Sequence, residues 1–136
     1  MSATVVVLLP LIIVVLTGGL ELGAARVVAE RARIAADLAT LTAANDQDEA
    51  VLRSTGTLRV SADAERVARE HLALDLAPLA GSLAADPAAI AAAAEVTVGE
   101  RTVRLRADLP VRTPLLGALL GRPVTVIELL SVGAPR

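Results

Sequence analysis

The sequence predicts an α+β protein: one long N-terminal helix, part transmembrane and part stalk, then a small antiparallel β-sheet with one or two packed helices. Three observations predict it. Residues 3–44 keep a helical pattern that is apolar and uncharged at first, then alanine-rich and charged. Residues 96–109 alternate between apolar and polar around Gly99–Glu100, as a half-buried hairpin does. Pro78, Gly81, Pro110, Pro114, Gly117, Gly121 and Pro123 punctuate the remainder into short elements. The expected organisation is an apolar helix half over 1–20, a stalk helix over 21–44, a linker over 45–56 and a small α+β domain over 57–136.

Residues 1–20 carry no charged side chain and are mostly Val, Leu and Ile. About 20 helical residues cross the ~30 Å hydrocarbon core of a bilayer, and the run over 3–20 reaches that limit before Glu21 ends it. Pro10 interrupts hydrogen bonding in a helix in water but is tolerated in a membrane helix. The lipid bilayer is therefore the first predicted partner. A buried core helix is the weaker alternative, because the remaining mass is too small to surround it. A cleaved signal peptide is another, with Gly23 and Ala25 as a small-x-small site, but the basic n-region is missing and the apolar run is long for one. Arg26, Arg31 and Arg33 flank the C-terminal side, which by the positive-inside rule alone puts the following domain in the cytoplasm.

In the stalk, Ala25, Ala29, Ala32, Ala36, Ala39 and Ala43 are spaced 4, 3, 4, 3 and 4 residues apart. That is the period of a coiled-coil seam, and alanine knobs let backbones approach closely. Gly19 and Gly23 form a GxxxG just before it, the small-residue pattern of packed membrane helices. These eight residues are the expected helix-packing interface. Arg26, Glu30, Arg33 and Asp37 run beside the seam and are expected to pair along the helix or with neighbouring helices. Glu21, at the apolar boundary, marks the interface or seeks an Arg on an adjacent subunit.

The later elements follow from local signals. Thr57–Val60 reads as a short strand. Ser61 is an N-cap candidate for a helix running to about Leu76, and Asp86–Pro87 starts a short alanine helix over 87–94. Val96, Val98, Val103, Leu105, Ala107 and Leu109 share one face of the hairpin, with Gly99–Glu100 as a two-residue loop. A helical turn is expected around Leu115–Leu120 and a last strand over Val124–Val132.

Composition excludes several functions. The 136-residue chain is 54% hydrophobic with mean hydropathy +0.64, yet has no Phe, Tyr, Trp or Cys. Thiol chemistry and disulfides are ruled out. All 13 basic residues are Arg, which reads as the coding bias of a GC-rich genome, and a net charge of −2 makes no case for nucleic acid as a partner. The single His71 lies on a charged helix, and the patch of Arg101, Arg104 and Arg106 lacks aromatics for stacking on bases. Asp46, Asp48 and Glu49 lack the Gly and distal Glu of a calcium loop. No phosphate loop, nucleophile elbow or metal motif is present. No enzyme activity and no cofactor are expected; assembly is.

Ser2-Ala3-Thr4-Val5, Leu9-Pro10-Leu11 and Gly19-Leu20-Glu21-Leu22-Gly23 together resemble the TadE/TadG-like minor pilins (pseudopilins) of tight-adherence (Flp-type) pili. The stalk Arg31-Ala32-Arg33-Ile34-Ala35-Ala36-Asp37-Leu38-Ala39 resembles the alanine-rich helix of the actinobacterial type. Thr113-Pro114-Leu115-Leu116-Gly117 and Pro123-Val124-Thr125-Val126 resemble the way such chains often end. The resemblance implies a pilin-like fold, a basic leader removed after a Gly by a prepilin peptidase, and a single-pass membrane protein whose domain faces outside. Its implied partners are other pilins or pseudopilins and the pilus assembly machinery. Such a leader would also resolve the orientation conflict. Two positions depart from the pattern. Met1 stands where the Gly would precede Ser2, and Val6 stands where many members carry a Glu after Thr-Val. An acid missing there suits a tip or initiating subunit. The alternative function is a membrane-anchored extracytoplasmic binding domain that never enters a filament.

Overall fold

The computed structural model describes residues 3–136; Met1 and Ser2, at the start of the resembling motif, lie outside the described residues. The fold is α+β, as predicted. Helix α1 (Ala3–Asn45) is continuous through Pro10 and is about 65 Å long at 1.5 Å per residue. After it come α2 (Glu49–Thr55), α3 (Ala64–Leu76), a 3₁₀ segment (Ala77–Ser82) and α4 (Pro87–Ala93). Strands β1 (Glu95–Val98) and β2 (Val103–Arg112), helix α5 (Pro114–Leu120) and strand β3 (Val124–Gly133) complete the chain.

The three strands form one antiparallel sheet in the order β1-β2-β3. Residue pairs run from Val103–Gly133 to Arg112–Val124 between β2 and β3, so α5 is the tip of one long hairpin. β2 alternates strictly: Val103, Leu105, Ala107, Leu109 and Val111 are buried, while Arg104, Arg106, Asp108 and Arg112 face out. Pro110 is tolerated in this central strand because β1 pairs only as far as Arg106. Beyond that point Leu83 bridges to Val111, and Ala84 donates its N–H to the Pro110 carbonyl at 2.8 Å.

A helical layer covers the inner face of the sheet. The second half of α1 lies against β3 and β2, and α3 packs on α1 and reaches β1. Leu72 and Leu76 of α3 and Leu83, Leu105 and Leu109 are the large side chains of a core without aromatics. Alanines supply the rest, and they set how closely the layers approach. A Cβ added at Gly133 would fall 2.3 Å from the Thr40 carbonyl oxygen, so the end of β3 crosses α1 at backbone contact.

Four local expectations are corrected. Residues 45–56 are not a bare linker: Asp48 caps α2, accepting from the N–H groups of Ala50 (3.0 Å) and Val51 (3.2 Å), and Gly56 closes it at φ +69°. Thr57–Val60 is not a strand but makes a single bridge, Gln47 to Val60. The N-cap position of α3 is Asp63 rather than Ser61, whose hydroxyl accepts from the Asp63 N–H at 3.2 Å in the turn before it. The β1–β2 loop is also longer than the predicted two residues. Val98 pairs with Val103, leaving Gly99–Thr102 as a four-residue loop closed by the Gly99 N–H on the Thr102 carbonyl.

Candidate functional site: the faces of the long helix

From Val5 to Leu16 the large apolar side chains of α1 are exposed, Val7 at 70% and Val15 at 66%. The Thr17 hydroxyl donates back to the carbonyls of Ile13 (2.7 Å) and Val14 (3.1 Å), so the segment presents no unsatisfied side-chain donor. α1 is the one described helix long and apolar enough to cross a membrane.

The alanine seam is covered by the chain itself. Ala32, Ala36, Ala39 and Ala43 are fully or almost fully buried, Ala25 is 8% exposed, and Ala29 is half-buried. All of them but Ala29 join one core with α3, β2 and β3. The expectation that the seam meets other subunits is therefore corrected: small residues let the domain sit directly on the helix. Gly19 and Gly23 differ. Both are exposed, and a Cβ at either would meet nothing within 4 Å, so the GxxxG remains uncovered.

The charged residues divide the same way. Glu21 does not reach outward: its carboxylate accepts from the backbone N–H groups of Leu115 (2.9 Å) and Leu116 (2.6 Å). These are orphan donors of the first turn of α5, capped by a side chain from another element. Asp37 accepts from the Ser131 hydroxyl, and the Thr40 and Ser131 hydroxyls lie 2.9 Å apart. This small polar cluster pins β3 to α1. Both carboxylate oxygens of Glu21 are thus engaged within the chain, while Asp37 uses one oxygen on Ser131 and stays exposed. Arg26, Glu30 and Arg33 are exposed, and among the described residues they make no ion pair.

One face of the stalk was missed by reading alanines alone. Leu20, Val27, Ile34 and Leu38 are all about half or more exposed, Leu20 at 74% and Ile34 at 58%. At 100° per residue they form a stripe opposite Ala25, Ala32 and Ala36. The signal was present as the seven-residue spacing of positions 20, 27 and 34. The stripe continues the exposed apolar surface of residues 4–16 past Glu21 and along the side of the stalk away from its own domain.

Some of the remaining charges hold the domain's own elements together. Arg69 donates to the carbonyls of Ala91 (3.2 Å) and Ala92 (2.5 Å), holding the end of α4 against α3. The hydrogen bond that the Arg66 guanidinium donates to the Glu70 carboxylate, and the charge of that carboxylate, with Asp63 adding to it, raise the pKa of Arg66, a group already charged at neutral pH. His71 is half-buried on α3. Among the described residues no group of three or more His, Cys, Asp or Glu is placed to hold a metal ion. The acids of the neck are accounted for in part by Asp48, which is a helix cap. No family model, no curated protein and no solved structure matches this chain.

Proposed function

We propose that this chain is a single-pass, membrane-anchored subunit shaped like a pilin, which helps to start, cap or decorate a surface filament of the tight-adherence type by helix packing, with its C-terminal domain outside the membrane. Its partners would be other pilins or pseudopilins and the assembly machinery. It acts without catalysis or cofactor. One observation carries the reading: the exposed apolar surface of α1 does not stop at Glu21 but continues as the stripe Leu20, Val27, Ile34 and Leu38 on the stalk face opposite the domain. A plain anchor has no use for an apolar stripe beyond the bilayer, whereas a helix that packs among other helices does. The exposed Gly19 and Gly23 lie beside it and allow close approach.

The test is mechanical shearing of native cells, with this protein followed in the sheared filament and membrane fractions and its N-terminus sequenced in each. Wild type is expected with filaments, and Ile34→Glu is expected in the membrane with its domain folded but absent from filaments. Recovery of wild type from membranes alone, unaffected by Ile34→Glu, refutes the filament role. That result would favour the second reading, an anchored extracytoplasmic binding domain. The burial of the alanine seam within the chain supports that alternative, because it removes the most closely packing face from contact with other subunits.

A further inference from the structure

We propose that α5 is a second membrane contact, a foot that lays Leu115, Leu119 and Leu120 into the boundary between headgroups and acyl chains beside α1. The inference rests on the reading that the first half of α1 spans the bilayer.

The level of α5 is set by two contacts. Leu116 lies against Gly18, whose added Cβ would be 3.9 Å from the leucine Cδ2. Glu21 holds the first turn of α5 by two hydrogen bonds. Gly18 is about 4.5 Å nearer the N-terminus than Glu21, the first charged residue of the chain. The tip of the β2–β3 hairpin therefore reaches the last turn of the apolar run, on the helix face of Val14, Val15 and Leu22, rather than stopping above it.

The chemistry of α5 matches that level. Pro114-Leu115-Leu116-Gly117-Ala118-Leu119-Leu120 contains no polar side chain. Leu115, Leu119 and Leu120 are 48%, 52% and 69% exposed, uncovered by any other part of the described chain. Approach to hydrocarbon normally penalises two kinds of group here, a carboxylate and the free N–H groups of a helix start. Glu21 and the N–H groups of Leu115 and Leu116 satisfy each other, so both penalties fall together. Gly121 ends the helix at φ +68°, and the exposed Arg122 that follows is placed to reach lipid phosphates while its stem stays apolar. The foot is held firmly: at Gly117 a Cβ would fall 2.5 Å from the Pro123 Cα, so α5 is pressed onto the start of β3. The occupant is the bilayer and not a partner protein because the patch is continuous with the membrane-crossing surface and lies at its edge.

The chain has no cysteine, so single labelling sites are clean. Full-length Val15→Cys, Leu119→Cys and Ala62→Cys, each carrying a nitroxide, would be reconstituted in vesicles of phosphatidylcholine and phosphatidylglycerol. Position 62 is an exposed reference at the far end of the stalk, where Ser61 bonds Asp46. Collision with oxygen is compared with collision with a neutral nickel chelate. The proposal expects oxygen to dominate at positions 15 and 119 and the chelate at 62. Chelate dominance at 119 with oxygen dominance at 15 overturns the foot and leaves the anchor standing. Shielding of 119 from both reagents also overturns it, in favour of a protein partner. Chelate dominance at 15 removes the anchor, and the foot with it.

Discussion

The two halves of α1 belong to one unbroken helix and invert the usual rule of burial. In the first half Val, Leu and Ile are exposed; in the second, the buried residues are nearly all alanines, while Val27, Ile34 and Leu38 face out. Burial here follows the fit to a partner and not the size of the apolar group. An alanine surface lets a sheet and a second helix approach α1 at backbone contact, so the domain closes on it. A surface of large aliphatic groups finds no complement within the described chain and is left exposed. The stalk is therefore not a spacer between anchor and domain. One face of it is part of the domain's own core.

The comparison can be broken most sharply by truncating one large side chain in each region. Leu72→Ala, at a fully buried position of α3, is expected to lower the stability of the domain by about 2–5 kcal/mol. Leu9→Ala, on the bare half, is expected to leave it within about 0.5 kcal/mol. Chemical denaturation of the detergent-solubilised protein reads both. Equal losses would mean that the bare half packs on the domain.

Enlarging the seam is the next test. Ala36→Leu is expected to cost about 1–3 kcal/mol by overpacking against the sheet. Ile34→Ala, two residues away on the opposite face, is expected to change domain stability by less than about 0.5 kcal/mol while weakening any association through the stripe. A neutral Ala36→Leu would restore the seam as an open surface.

Smaller effects sharpen the boundary between the halves. Glu21→Ala removes the cap from α5 and is expected to cost about 1–2 kcal/mol, with Glu21→Gln recovering part of it, as judged by thermal unfolding. Hydrogen exchange should rise at Leu115 and Leu116 and stay unchanged in α3. Least of all, Asp48→Ala is expected to cost about 1 kcal/mol and to fray α2 without touching the core, since α2 has no buried residue.

Much of this was legible from local sequence. The alternation of Val103, Leu105, Ala107 and Leu109 marked β2, Asp86–Pro87 marked the start of α4, and the uncharged run before Glu21 marked the bare half. The 3.5-residue alanine period falls on the face of α1 that is buried within the chain, with Ala29 half-buried. What it could not mark was the partner, because any close-packed surface satisfies the same pattern. Reading alanine also drew attention away from Leu20, Val27, Ile34 and Leu38, whose spacing is just as regular. The contacts of two acids were not legible for a related reason. Glu21 and Leu115, or Asp37 and Ser131, are more than ninety positions apart, and no local pattern joins them.

By itself, then, the sequence determined most of the elements: the long helix, α3, α4 and the strands of the sheet, the apolar face of β2, and that one helix is long and apolar enough to cross a membrane. These follow from backbone preference and periodicity, which act over a few residues. Only the tertiary structure decided which apolar face is spent within the chain and which is left over, and which acids cap or pin its own elements. That choice depends on the closing distance between a helix and a sheet, set by side chains brought together from both ends of the chain.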